Sequence, residues 1–485
     1  METLDKTSKE KQKNSWKYFD SNKYQFHVTI SSASSSIDPT ITSEEEITSK
    51  GVVYMEDLEK RKNVYGICGE CNEPGTGKKW CQPCNSKRFK ENFQNWTSEN
   101  KDIDELLQYS QLNAVYYTKL LEWIPYENFQ CVTYIDEGGF SKIYSADWPD
   151  GHIEYWSIES QKWVRSSNKH VVLKSLNNSS DINIEFLNEI KSQLHIYFWN
   201  IISYYGITRD PNTKDYMMVL EYCTDGNLRN YYLSQQPEYN SKIYDLLAIA
   251  KGLMNIHNAD KVHKNFHSGN ILFKNFYPYI SDVGMCQPAD KEQSLEGVYG
   301  VLPYMAPEVL YSHQYTKESD IYSFGVIMNE FISEEIPYKD VPHDSILAEK
   351  ICNGSRPKIF KGTPKLFEEL IMKCWDAKAK NRPTIEELYQ TLKKWDDEKL
   401  NNDSEIFSQV KEWKQIRENE YKNNSNKNKS KNLNVHSQAF YVSRPLNFQN
   451  LSEPINSTDF LSVQSDSEHL EKTSSSWNKK EGSYL

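Results

Sequence analysis

The chain has 485 residues, enough for roughly two or three domains, and carries a formal net charge of -11. This acidic balance argues against nucleic acid as the main partner, because phosphate backbones are bound by basic surfaces. Its apolar runs are too short to span a membrane, and the charged N-terminal segment METLDKTSKEKQKN does not look like a secretory signal. The nine Cys, four of them in one short segment, are typical of a reducing compartment, so we expect an intracellular protein, cytoplasmic or nuclear.

Composition and periodicity divide the chain into successive predicted segments. In chain order they are a disordered region (1–63), a Cys-rich module (64–87), a helical linker (88–125), a large domain (126–396), and a charged helix with a disordered tail (397–485). In the linker, Ile103, Leu106 and Leu107 recur at helical spacing. Both terminal regions lack a pattern of apolar residues that could bury a core, which is why we expect disorder there.

The Cys-rich module contains two C-x2-C pairs, formed by Cys68, Cys71, Cys81 and Cys84. Each pair can place two thiolates on one metal ion, and two pairs complete a closed tetrahedral site. The alternative is four unrelated thiols, but the paired spacing favours structural zinc. We interpret the Lys and Arg residues around the module as a solvated charged surface, although they could also contact RNA or an acidic protein.

In the large domain, predicted strands come first and predicted helices follow. The strand-like segments CVTYI and KIYSAD flank a turn at Gly138 and Gly139, and His152–Arg165 is predicted to be a second hairpin. HVVLKSL and MMVLEY are further strands, separated by an amphipathic helix over Asp181–His195. Helical periodicity dominates from Tyr244 onward. A strand-rich half followed by a helix-rich half predicts a two-lobed α+β architecture.

The large domain also carries an ordered series of motifs: IDEGGFSKIY, VVLK, EFLNEIK, VLEY, VHKNFHSGNIL, SDVG, YMAPE, SDIYSFG and NRPT. This series resembles the eukaryotic protein kinases in order and spacing. Within this family, the tyrosine-kinase-like group is the most similar in three of the motif sequences: HSGNIL, YGVLPYMAPEVL and SDIYSFGVIM. The resemblance implies a kinase fold with a β-rich N-lobe and an α-helical C-lobe. It also implies ATP and Mg²⁺ as ligands, with a protein substrate or signalling partner.

The resemblance implies a role for individual residues. Lys174 matches the lysine that neutralises the ATP phosphates, with Glu189 as its ion-pair partner, and Asn270 and Asp282 match the Mg²⁺ ligands. Asn265 stands at the catalytic-base position. The residues implied to surround the nucleotide are Gly138, Gly139, Ile143, Val172, Lys174, Glu189, Glu221, Cys223 and Leu272. The implied scaffold residues are Glu308, Arg382 and Asp320, and Ser294 and Tyr299 are candidate phosphorylation sites in the activation segment.

Several residues differ from the family pattern, and these differences bear on whether the protein catalyses phosphoryl transfer. The catalytic base is normally Asp, whereas the amide of Asn265 can orient a hydroxyl but cannot accept its proton. General-base assistance contributes about 10²–10⁴ to rate. The other departures are Asp136, Ser141, Val172, Lys264, His267 and Val283. We expect a nucleotide-binding pseudokinase or a strongly impaired kinase. The alternatives are an active protein kinase and a zinc-module adaptor that uses the kinase fold as a scaffold.

Overall fold

A computed structural model describes much of the chain. The described residues are 13–20, 23–24, 28, 51, 53–138, 141–176, 186–187, 190–191, 194, 200–235, 238–283, 287–288, 298–424 and 435–456. They fall into two compact units. The first unit contains the described residues up to Leu194 together with Ser203–Tyr222, and the second contains those of His195–Ile202 and from Cys223 onward. Among the described residues, no helix combines the length and apolarity needed to cross a membrane.

The first unit contains a Cys-rich module, a sheet and a separate hairpin. Its helices and strands are β1 (Ser15–Trp16), α1 (Leu58–Tyr65), β2 (Gly66–Ile67), α2 (Gln82–Asn92), α3 (Lys101–Asn113), β3 (Glu122–Trp123), β4 (Gln130–Gly138), β5 (Ser141–Trp148), β6 (His152–Ser157), β7 (Lys162–Ser166), β8 (Lys169–Leu176), β9 (Tyr204–Arg209) and β10 (Tyr216–Glu221). The described parts of the predicted helix 181–195 are also helical.

The sheet of the first unit has six strands in the order β3-β9-β10-β8-β5-β4. Side chains alternate along β8, so its two faces have different environments. Val171 and Leu173 lie on the core face, together with Ala146 and Met217. The side chains of Val172 and Lys174, two positions apart, therefore lie on the opposite face. The strands and the β6–β7 hairpin agree with those predicted from the sequence.

The N-terminal residues take part in the core of the Cys-rich module. Strand β1 pairs antiparallel with β2. Phe19, Val28 and Val53 are buried in one cluster with Val64 and Tyr65 of α1. The predicted disorder of residues 1–63 is therefore wrong for these positions. A few isolated apolar residues suffice here because their partners come from α1, which has no amphipathic pattern of its own.

The Cys-rich module is continuous with the linker and packs on the β6–β7 hairpin. Helix α2 runs through the predicted boundary at residue 88. Its Phe89 stacks on Trp163 with ring centroids 4.8 Å apart. Helix α3 contains the residues predicted to be helical, and it begins after Asn100, whose side chain accepts hydrogen bonds from the first turn. Its Ile103 and Leu107 are fully buried.

The second unit is mainly helical. Its helices and strands are α4 (Leu228–Gln235), α5 (Tyr239–Asn258), β11 (Lys261–Val262), β12 (Ile271–Lys274), β13 (Tyr277–Ile280), β14 (Gln287–Pro288), β15 (Val298–Gly300), α6 (Pro307–Ser312), α7 (Lys317–Ser333), α8 (Ser345–Cys352), α9 (Lys365–Cys374), α10 (Ile385–Glu398), α11 (Glu405–Asn424) and β16 (Arg444–Leu446). Helix α7 is buried along most of its length and forms the centre of the unit. Helix α11 buries Ile406, Val410 and Trp413, so the predicted charged helix belongs to this core.

The tail differs most from the prediction. Residues 435–456 were expected to be disordered, yet β16 pairs antiparallel with β15. Farther along, the backbone N–H of Ile455 donates to the carbonyl of Cys352 at 2.9 Å. The side chain of Asn456 accepts a hydrogen bond from the Ala377 amide at 2.9 Å. The prediction of disorder is wrong for this segment because its partners are distant in sequence.

Candidate functional site

The loop before β12 is held by a buried carboxylate on α7. Asp320 is 1% exposed, and its Oδ2 accepts a hydrogen bond from the backbone N–H of His263 at 2.7 Å. Its Oδ1 accepts from the N–H of Lys264 at 3.1 Å. Lys264 has φ of 68°, an uncommon conformation for a residue with a side chain. Asp320 thus compensates for local backbone strain, in agreement with the scaffold role that the family resemblance implies.

Three predicted site residues meet at the end of this loop. The Nδ2 groups of Asn265 and Asn270 both donate to Asp282 Oδ2, at 3.0 and 3.3 Å. Asn270 Nδ2 also donates to the backbone carbonyl of Asn265 at 2.9 Å. An ionised carboxylate can only accept hydrogen bonds, so Asp282 fixes the orientation of both amides. Asn265 therefore turns its donor toward Asp282 and its carbonyl oxygen away.

A hydroxyl from the tail contacts the other side of Asn265. Ser443 Oγ donates to Asn265 Oδ1 at 2.8 Å and lies 3.1 Å from His267 Nε2. His267 Nδ1 accepts a hydrogen bond from the Gly269 N–H at 3.1 Å, so the ring proton must be on Nε2. Burial lowers the pKa of His267 to about 3. A neutral His267 therefore donates to Ser443 and cannot serve as a base in this arrangement.

Two features of the site were not predicted from the sequence: Ser443, and a cluster of hydrogen-bonded polar side chains formed by Arg229, Tyr304 and Glu330. Arg229 Nε donates to Glu330 Oε1 at 3.0 Å, and Tyr304 OH donates to Glu330 Oε2 at 2.6 Å. No local signal marks Ser443, because it stands in a segment without periodic apolar residues. The predicted scaffold pair is present: Arg382 holds both carboxylate oxygens of Glu308, at 2.6 and 2.7 Å.

The predicted nucleotide residues of the first unit share one face of its sheet. Lys174 is directly opposite Ile143 on β5 and Met218 on β10. Val172 is opposite Leu220 on β10. Directly opposed residues point to the same side, so these side chains form one surface away from the core. Lys174 and Val172 are both half-buried.

The remaining predicted nucleotide residues lie at several places. Gly138 ends β4 and pairs with Ser141, while Gly139 and Glu189 lie outside the described residues, as does Ser294. Asp136 is exposed, and its carboxylate accepts a hydrogen bond from the Glu137 N–H at 2.8 Å. The chain passes from the first unit to the second between Tyr222 and Cys223, next to Glu221. Leu272 lies half-buried on β12 of the second unit.

The four clustered thiols converge on one point in the first unit. All their sulfur atoms lie within 4.8 Å of one another. Cys68 Sγ is 3.8 Å from Cys84 Sγ, and Cys71 Sγ is 3.6 Å from Cys81 Sγ. Sulfurs bound to one tetrahedral zinc ion at about 2.3 Å lie about 3.8 Å apart, so the thiols fit such an ion. Burial raises the pKa of Cys84 to about 12, which a bound cation would reverse.

The backbone around the thiols is held by one buried guanidinium and by close strand pairing. Arg61 donates to the carbonyl oxygens of Gly75, Met55 and Pro74, at 3.0, 2.8 and 2.7 Å. Gly66 has φ of 86°, and a Cβ there would lie 2.2 Å from the carbonyl oxygen of Ser15. Both features shape the turn that carries the first Cys pair.

Residues 129–392 match the family model for protein tyrosine and serine/threonine kinases. The match covers more than half of the chain, which therefore belongs to the protein-kinase family. The sheet of the first unit is its β-rich N-lobe, and the second unit is its helical C-lobe. The predicted family resemblance and fold class are thus confirmed.

Several curated kinases are similar to this chain. A probable serine/threonine-protein kinase of Dictyostelium discoideum is 25% identical over 285 residues, covering 56% of this chain and 20% of that protein. The probable serine/threonine-protein kinase gdt2 of the same organism is 29% identical, covering 57% and 16%. Mitogen-activated protein kinase kinase kinase 12 of Rattus norvegicus is 26% identical, covering 51% and 29%. The chain thus spans less than a third of each of these relatives.

Proposed function

We propose that this chain is a signalling protein of the kinase family that binds ATP and Mg²⁺ but transfers phosphate poorly. The observation that carries the proposal is the position of Asn265. Its Nδ2 donates to Asp282, and its Oδ1 accepts from a hydroxyl. That oxygen orients a hydroxyl but cannot take its proton, so the rate loses about 10²–10⁴.

Nucleotide binding is supported by the charged and polar groups that remain. Lys174 offers a cation for phosphates, and Asn270 and Asp282 offer the hard oxygen ligands that Mg²⁺ takes. Asp282 Oδ2 already accepts two amide hydrogen bonds, which a metal ion must displace or rearrange. We therefore expect weaker Mg²⁺ affinity than a site with a free carboxylate would have.

The competing function is an active serine/threonine kinase. The printed names of the curated relatives favour it, as does the presence of Asp282 in a strained conformation with φ of 58°. The two functions make opposite predictions for transfer by the wild-type protein, whereas both require nucleotide binding.

The test measures binding and transfer side by side. Millimolar ATP with Mg²⁺ should raise the thermal unfolding midpoint, because a ligand that binds the native state stabilises it. Asp282→Asn should abolish the Mg²⁺-dependent part of that shift. Absence of any shift in the wild-type protein would overturn nucleotide binding. Efficient transfer to a generic protein substrate, lost in Asp282→Asn, would establish the active kinase instead.

The Cys cluster supports a separate, structural proposal. We infer that Cys68, Cys71, Cys81 and Cys84 hold one zinc ion, because four convergent thiols with near-tetrahedral separations suit that ion. All four positions are protein ligands, so the site has no open position for catalysis. Its role is to fix the module that packs against the β6–β7 hairpin.

A further inference from the structure

The tail of the chain crosses the C-lobe beside the catalytic loop. The backbone N–H of His436 donates to the carbonyl of Lys339 at 2.8 Å, and the N–H of His343 donates to the carbonyl of Gln438 at 2.9 Å. Strand β16 then adds to β15 of the activation segment as an antiparallel partner. Leu446 at its end is buried. This is strand addition, in which main-chain bonds hold an extended peptide.

The centre of this segment places a hydroxyl at the reacting position. Ser443 Oγ lies 2.8 Å from Asn265 Oδ1, at the catalytic-base position, and 3.1 Å from His267 Nε2. A group that receives phosphate must come within about 2.6–3.2 Å of the base position. The backbone carbonyl of Ser443 is also held, by the Tyr299 hydroxyl at 3.1 Å. Ser443 thus occupies the place of an acceptor residue.

Side chains flanking Ser443 occupy defined positions. The Tyr441 ring lies 4.5 Å from the Arg229 guanidinium, and its hydroxyl donates to the carbonyl of Pro337 at 2.8 Å. Arg444 donates to the carbonyl of His343 at 2.5 Å. Val442 between them is 57% exposed. Contacts at Tyr441, Ser443 and Arg444, with Val442 pointing out, are what a groove that reads an extended peptide requires.

We propose that this surface is a peptide-binding groove and that residues 436–446 fill it in cis as a substrate-like inhibitor. The partner it admits is an extended peptide with an aromatic residue two positions before a Ser or Thr and an Arg directly after it. The inference rests on the proposed function in taking this face of the C-lobe as the protein-contacting site. It requires neither nucleotide binding nor phosphoryl transfer.

The test uses the full chain and a fluorescent peptide with the sequence of residues 436–448. Tyr441→Ala and Arg444→Glu remove groove contacts from the tail only, so the tail should leave and the wild-type peptide should enter. We expect both variants to bind the peptide at least about tenfold more tightly than the wild-type protein, because a tethered competitor acts at high effective concentration. Val442→Ala, which alters an exposed neighbour, should behave like the wild type.

A second variant and a second measurement guard against misfolding. Ser443→Glu places a larger, charged side chain against Asn265 and the buried His267, so it should also release the tail. Hydrogen exchange of the β15 and β16 amides should speed up in every released variant, while the α7 amides remain protected. Excess unlabelled peptide added to the wild-type protein should accelerate exchange in β16 and keep β15 protected.

Equal peptide affinity in the wild-type and released proteins, or no peptide binding by folded variants, overturns the proposal. Unchanged exchange in β16 does the same. Thermal titration of the same proteins with ATP and Mg²⁺ separates the two ideas. If the peptide replaces the tail but ATP does not raise the unfolding midpoint, nucleotide binding alone is overturned. If ATP raises the midpoint but the peptide does not replace the tail, the groove alone is overturned.

Discussion

Asn265 joins two hydrogen-bonded partners of different kinds through one amide. Its Nδ2 contacts the Asp282 carboxylate, and its Oδ1 contacts the Ser443 hydroxyl. An Asp at this position could not make the first contact, because two ionised carboxylates at this distance repel. The amide therefore stabilises the metal-free site at the expense of proton acceptance.

The substitution Asn265→Asp tests this trade directly. We expect transfer to a generic protein substrate to rise about 10²-fold or more, because a base is restored without a change of size. We also expect a lower thermal unfolding midpoint in EDTA, recovered by Mg²⁺, because a cation offsets the carboxylate repulsion. Phosphate incorporation and thermal denaturation with and without Mg²⁺ are the measurements.

Two controls accompany that substitution. Asn401→Asp adds the same charge at an exposed position, so it should leave both activity and the Mg²⁺ dependence unchanged. Asn265→Asp combined with Asp282→Asn should be inactive. If the wild-type protein transferred phosphate at the rate of the Asn265→Asp variant, the lack of a proton acceptor at position 265 would not limit transfer.

Among the elements, the Cys-rich module should depend most on a ligand. Helix α2 begins directly after Cys81, and its packing includes the fully buried Trp80. Trp80 Nε1 donates to the carbonyl of Ala114 at 2.7 Å, tying the thiol cluster to the end of α3. Loss of zinc should therefore loosen this whole region, since small metal modules have little core without their ion.

The corresponding prediction concerns metal content and order. Purified protein should contain about one zinc per chain, and Cys81→Ser should lose it. Hydrogen exchange in α2 and β6–β7 should then accelerate, while α7 in the other unit stays protected. Cys131→Ser, at an exposed thiol outside the cluster, is the matched control. A module that stays protected after complete removal of metal would contradict a structural role.

Local patterns predicted the elements whose partners are near in sequence. The paired strands β4 and β5, the β6–β7 hairpin, α3 and the two Cys pairs were all predicted from residue spacing. The role of Asp320 came from the family resemblance, and the structure confirms its contacts. Strand β16 was missed because it is short, lacks alternation, and pairs with residues about 140 positions away, as Tyr299 and Ser443 show. The buried N-terminal residues were missed for the same reason.

In the molecule as a whole, the tail and the carboxylate proposed to bind Mg²⁺ are coupled through one side chain, that of Asn265. Mg²⁺ bound to Asp282 must disturb the hydrogen bond from Asn265 Nδ2, and that amide also positions Ser443. If metal binding weakens the tail contact, then release of the tail must strengthen metal binding by the same factor. The chain thus contains the contacts needed for a nucleotide-sensitive tail.

This coupling gives the last prediction. Tyr441→Ala, which contacts neither Asp282 nor Asn265 by any hydrogen bond among the described residues, should bind ATP with Mg²⁺ about 5-fold or more tightly than the wild type. Val442→Ala should not change that affinity. In the reciprocal experiment on Tyr441→Ala, saturating ATP and Mg²⁺ should weaken binding of the 436–448 peptide, because the peptide presents the same Ser to Asn265, and saturating peptide should weaken binding of ATP with Mg²⁺ by the same factor. Titration calorimetry measures both constants. Linkage requires the two factors to be equal. If none of these affinities changes, the amide of Asn265 adapts to metal without moving Ser443, and the proposed coupling is wrong.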